Sequence, residues 1–89
     1  MKYTNHAKEK MDEYGVTEKD VEDTIRAPEK LFLDVKTGRL IGVRKWTEDK
    51  HLVVVYEVND FTTIVTVFPT SKINKVIESR VRRGRWVEL

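Results

Sequence analysis

The spacing of apolar residues changes character twice along the chain. Near the start, Ala7, Met11 and Tyr14 fall on one stripe at spacings of four and three, which predicts a helix from Thr4 to about Tyr14. Thr4 offers the hydroxyl that an N-cap needs, and Gly15 can take the left-handed conformation that stops a helix. Thr17 caps a second predicted helix. Asp20 stands three residues on, and Val16 and Val21 are spaced for a hydrophobic staple. Val21 and Ile25 give this helix a short apolar face. Pro28 ends it, because the residue before a proline avoids the helical region.

From Leu31 the period becomes two. Leu31, Leu33 and Val35 alternate with Phe32 and Asp34, Thr37-Gly38 supplies a turn, and Arg39 to Trp46 reads as the returning strand. Leu52 to Tyr56 is an unbroken apolar run and Phe61 to Phe68 nearly so, with Asn59-Asp60 between them. Unbroken Val-rich runs suit strands covered on both faces. Beyond Pro69 the helical period returns through Ile73, Val76, Ile77 and Val81. The expected fold is α+β: two short N-terminal helices packed on a curved, four-stranded antiparallel meander, followed by a C-terminal helix or tail. RVRRGRWVEL fits either a fifth strand or a loose arm.

Eighty-nine residues make one domain, 1–89, with 72–89 as a basic C-terminal helix or arm. Hydrophobic residues are 39% and charged residues 36%, which suits a small core under a charged surface. The absence of Cys excludes disulfides, thiolate metal sites and a Cys nucleophile. No apolar run approaches the roughly 18 residues of a membrane span, and the start has no signal-peptide core, so a cytoplasmic protein with no membrane partner is expected. The net charge of +2 is unevenly spread. Residues 1–30 carry six Lys/Arg against eight Asp/Glu, and residues 61–89 carry six against two. A polyanion partner is therefore expected at the C-terminal end.

Four groups of residues are candidates for chemistry. His6 falls in the first turn of helix one, where the positive end of the helix favours a neutral imidazole able to act as a base. Its plain alternative is a surface histidine; His51, opening a strand, reads that way too. Arg44-Lys45 are two cations in mid-strand. Adjacent strand residues face opposite ways, so at most one serves a given site, as a fixed cation for a phosphate. Thr66, expected to share a face with Thr62, Ile64 and Phe68, puts a hydroxyl in an apolar row, where it needs a partner. Lys72, Lys75, Arg80, Arg82, Arg83 and Arg85 with Trp86 combine cations for phosphates with a ring for stacking on unpaired bases. A solvated helix and tail is the plain alternative. There is no phosphate-cradling Gly-rich loop, no His-x-x-x-His pair and no nucleophile elbow, so no metal and no cofactor are expected.

The stretch YTNHAKEKMDEYGVTEKDVEDTIRAPEK, with the later strands VVVYEV and TIVTVFP, resembles domain of unknown function 4258 over about residues 3–70. Through it the chain resembles the RelE/ParE-like toxin group, which includes barnase and EndoU. That resemblance implies one or two helices on a curved antiparallel sheet. It implies a site at His6 and Thr66, with a basic residue near Arg44 or Lys45. Relatives often carry Arg at the positions of Lys10 and Tyr14; Lys10 keeps the charge and Tyr14 does not.

The expected function is a metal-independent endoribonuclease, the toxin of a toxin–antitoxin pair. His6 would take the proton of a ribose 2′-hydroxyl, Arg44 or Lys45 would stabilise the phosphoryl oxygens, and Thr66 would orient a phosphate or the histidine. The expected partners are RNA, on or off the ribosome, and an antitoxin, with the chain a monomer or weak dimer. The alternative is a non-catalytic module that grips a protein or nucleic acid.

Overall fold

The computed structural model describes residues 1–89. In chain order the elements are β1 (Lys2–Tyr3), α1 (Asn5–Tyr14), α2 (Glu18–Arg26), β2 (Lys30–Asp34), β3 (Leu40–Lys45), β4 (His51–Val58), β5 (Thr62–Thr70), α3 (Ile73–Arg82) and β6 (Trp86–Glu88).

Both N-terminal helices begin where their caps predict. The Thr4 hydroxyl accepts from the Ala7 amide at 3.0 Å and donates to the Val65 carbonyl at 2.9 Å. One side chain thus caps α1 and ties it to β5. At Thr17 the capping box is complete. Its hydroxyl accepts from the Asp20 amide at 3.1 Å, and the Asp20 carboxylate accepts from the Thr17 amide at 2.9 Å. Between the helices Gly15 takes φ +68°, a conformation that costs a side-chain-bearing residue about 1 kcal/mol or more.

The sheet has six strands in the order β1-β5-β4-β3-β2-β6. Its centre is the expected meander, with β2 through β5 paired antiparallel to their neighbours in sequence. The four-stranded, all-antiparallel expectation is corrected at both edges. β1 pairs parallel with β5, placing Lys2 beside Thr63, and β6 pairs antiparallel with β2, placing Trp86 beside Asp34. The sheet is therefore mixed. The basic tail is neither loose nor all helix: it is α3 followed by a strand.

Both faces of the sheet are covered, as the unbroken apolar runs required. On one side Ala7, Met11, Val16 and Val21 from α1, α2 and the turn between them pack on Leu52, Val54, Tyr56, Ile64 and Val67. On the other, Ile73, Val76 and Ile77 of α3 lie against Phe32, Ile41, Val43, Val53 and Trp86. α2 packs closely on β3 at Gly42, where a Cβ would just reach van der Waals contact, 3.4 Å, with the Thr24 carbonyl oxygen.

One irregularity matters for the site. Val55 pairs with Thr66, but the next residue of β4, Tyr56, pairs with Ile64. Val65 is an extra residue on β5, a β-bulge, and it reverses the alternation beyond it. Ile64 faces α1, whereas Thr66 lies opposite Val55, on the α3 side with Phe68. The expectation that Thr66 shares a face with Ile64 is corrected by this single residue.

Candidate functional site

The four residues expected to form a catalytic group do not converge. His6 is exposed on α1, which packs on one face of the sheet, and Thr66 is on the other face. Arg44 and Lys45 point to opposite sides, as adjacent strand residues must. Arg44 is on the helix side, where its Nη1 donates to the Ala27 carbonyl at 2.7 Å. Ala27 is the C-terminal cap of α2, so Arg44 satisfies a helix-end carbonyl. Lys10 and Tyr14, where the resemblance implies Arg, form a local surface group: Lys10 is 3.4 Å from Glu13 and 5.8 Å from the centre of the Tyr14 ring.

Lys45 stands at a different centre. It pairs with His51 across β3 and β4, and His51 pairs with Thr70 across β4 and β5. This end of the sheet meets the start of α3, leaving a cleft of about 410 Å³ lined in part by Lys45, His51, Ser71, Lys72, Asn74 and Lys75. His51 Nε2 is 3.5 Å from Glu29 Oε1, and the same carboxylate oxygen accepts from the Lys45 amide at 3.1 Å. Glu29 is thereby fixed by backbone close beside the imidazole. Lys72 precedes α3 without any side-chain cap, so the first-turn amides of that helix have no side-chain acceptor. Glu48 and Asp49, both exposed, also line the cleft.

The basic residues of the last third divide into several groups. Lys72 and Lys75 belong to this cleft. Arg82 lies over a separate apolar groove with Ile77, Val81 and Val87. Arg80, Arg83 and Arg85 line a third hollow with Lys36. Arg85 Nε is 3.0 Å from Asp34. Trp86 departs most from expectation. It is only 5% exposed, and its ring lies 5.3 Å from that of Phe32, tilted by 34°. It is a core residue, and its ring is not free to stack on bases.

His51 and Glu29 are the functional candidates that the sequence reading passed over. The loop between β3 and β4 closes where Trp46 and Thr47 amides both donate to the Lys50 carbonyl, which sets Lys45 opposite His51. That register could have been read from the polar segment TEDK. The approach of Glu29 carries no local signal, since it depends on the Glu29 amide bonding to Val43 of another strand. No group of three or more His, Cys, Asp or Glu side chains is arranged to hold a metal ion. No helix is long and apolar enough to cross a membrane.

No curated protein and no solved structure matches the chain. One family model does, over residues 3–69, which spans the two N-terminal helices, the meander and the bulge. The chain therefore belongs to the family described as a domain of unknown function (DUF4258).

Proposed function

We propose that the protein is a metal-independent endoribonuclease whose working centre is the His51 cleft. The observation that carries this reading is that His51, which lines a cleft with Lys45, Lys72 and Lys75, also stands 3.5 Å from Glu29, a carboxylate held by the Lys45 amide beside that cleft. An imidazole protonated at Nε2, the nitrogen nearer Glu29, would leave the Nδ1 lone pair free to serve as a general base. Nδ1 takes the proton of a ribose 2′-hydroxyl. The O2′–P bond forms and the P–O5′ bond breaks, leaving a cyclic phosphate. The departing O5′ takes a proton from a neighbouring ammonium group. The remaining lysine charge lies on the phosphoryl oxygens, an effect worth about 3 kcal/mol for a well-placed donor. A toxin role is carried over from the RelE/ParE-like resemblance read in the sequence alone.

The test is cleavage of a short RNA in EDTA, read by the new ends. Wild type should yield cyclic-phosphate and 5′-hydroxyl ends and leave an all-deoxy strand whole. His51→Gln should slow cleavage by about 10²–10⁴-fold. His6→Ala should have no such effect. Absence of cleavage by wild type, or full activity in His51→Gln, overturns the reading. Loss of activity in His6→Ala alone would return the base to α1.

A second reading, a binding module without catalysis, is favoured by the apolar groove beside β6. Val81 and Val87 are 47% and 50% exposed there. On that reading Val87→Asp abolishes function and His51→Gln does not. Removing the chain after Ile77 is no test of it, because that also removes Trp86 from the core.

A further inference from the structure

The hollow beside the C-terminal end of α3 is unlike the rest of the surface in its charge. It encloses about 300 Å³ and is lined by Val35, Lys36, Arg80, Arg83, Gly84 and Arg85. Four of these six are cations, and no carboxylate lines the hollow. The nearest acid, Asp34, is 8% exposed and already engaged: it accepts from Arg85 Nε and from the Lys36 and Thr37 amides. Lys36, Arg80 and Arg83 are left without an ion-pair partner.

The walls are built rather than incidental. The Arg80 guanidinium lies 5.8 Å from the centre of the Trp86 ring, a cation–π contact that positions it without neutralising it. The Arg85 amide donates to the Arg80 carbonyl at 2.9 Å, and the Val35 amide donates to the Arg85 carbonyl at 3.0 Å. Gly84, at φ +68°, makes the bend that folds Arg85 back toward α3. The helix dipole explains a cation in the last turn of α3. It does not explain this grouping, because Arg82 meets that need equally while lying over another groove, and Lys36 comes from a different element.

Like charges gathered around a concave surface repel one another unless an anion sits among them. Guanidinium forks match the paired oxygens of a phosphate better than any other biological anion except a carboxylate. We infer that Lys36, Arg80 and Arg83 bind a phosphate group, and specifically a phosphodiester of an RNA strand. Arg85 is the positioning residue that anchors the hollow to Asp34. The identity of the ligand as RNA rests on the function proposed above; the phosphate site itself does not. The His51 cleft lies at the start of α3 and this hollow at its end, on a helix of ten residues about 15 Å long. A strand held by one phosphate here would run along α3 and present a later phosphate to His51.

The experiment uses the full chain, its amide resonances and two probes, inorganic phosphate and a short 5′-hydroxyl RNA carrying 2′-O-methyl groups throughout, which cannot be cleaved by 2′-hydroxyl attack. The variant is the double substitution Lys36→Ala with Arg83→Ala, both exposed residues. In wild type both probes should shift the amides of Lys36, Arg83, Gly84 and Arg85. The variant should lose these shifts, bind RNA about tenfold more weakly, and show a log K against log salt slope shallower by about 1.4. RNA binding equal to wild type in the variant overturns the site while leaving the ribonuclease reading intact. Shifts with phosphate but none with RNA support the site and overturn the RNA reading. No shift with either probe, or equal occupancy by polyglutamate, overturns the inference.

Discussion

Arg85 Nε donates to both carboxylate oxygens of Asp34, at 3.0 and 3.1 Å, joining residues 51 apart in the chain. The contact sits where β6 comes alongside β2, with Asp34 and Trp86 as partners in the ladder. Asp34 also accepts from the amides of Lys36 and Thr37, at 2.9 and 3.2 Å, and so shapes the turn into β3. Burial opposes ionisation of this carboxyl, but the hydrogen bonds from Arg85, Lys36 and Thr37 outweigh it and hold its pKa below the ordinary carboxylate range.

A depressed folded-state pKa means stability that is present above the unfolded value, near pH ~4, and is lost as pH falls through the folded one. Urea midpoints measured from pH 7 downward should therefore drop on the acid side of about pH 4. Asp34→Asn should cost about 1–3 kcal/mol at pH 7 and flatten that acid limb. An unchanged acid limb in the variant would show that other carboxylates set it.

Phe32 is fully buried at the centre of the α3-side core and is the ring partner of Trp86. Phe32→Ala should cost about 3–5 kcal/mol in chemical unfolding. The Trp86 environment should loosen with it, seen as a red shift and easier quenching of the tryptophan emission, with Trp46 giving the background.

Tyr3 holds a buried phenol oxygen with no hydrogen-bond partner. Burial first, and then the charges of Glu18 and Glu22, raise its pKa. A buried polar atom without a partner costs about 1 kcal/mol or more, so Tyr3→Phe should be neutral or stabilising by about 1 kcal/mol. Because a raised tyrosine pKa favours folding below the unfolded value near ~10 and is lost above the folded one, the variant should also unfold less readily in alkali. Thermal melts at pH 7 and at pH 11 would test both statements. A clear loss of stability at pH 7 would reveal a partner for the hydroxyl.

Arg44→Gln should leave RNA cleavage unchanged and lower stability by about 1 kcal/mol, since it removes one charge-assisted bond to the end of α2. Comparing cleavage rate with unfolding midpoint in the same preparation separates the two effects. A large loss of cleavage with normal stability would bring Arg44 back into the site.

The parts of the fold that were legible in the sequence are those where a period had room to repeat. α1 and α2 announce themselves through Thr4, Gly15 and Thr17, and β2 to β5 through alternation or unbroken apolar runs. β1 and β6 have two and three residues, too few to display any period. The bulge at Val65 was hidden for a different reason. Both faces of β5 are covered, so apolar residues stand on either side of the slip and no polar face marks it. Thr66 was therefore assigned to the wrong face. Trp86 sits in a basic tail whose composition reads as surface, yet the short strand it opens turns the ring inward. His51 looked ordinary because its partner Glu29 arrives through the pairing of distant segments.

The two-sided burial also sets an order on the chain's assembly during synthesis. The side covered by α1 and α2 has all its core residues once Val67 has been made. The opposite side lacks Trp86 until nearly twenty residues later, so Phe32, Ile41, Val43 and Val53 have no complete cover until then. A nascent chain halted in that interval would carry the residues of one core face and an adhesive, uncovered set for the other, the kind of species for which a chaperone or a neighbouring sheet competes.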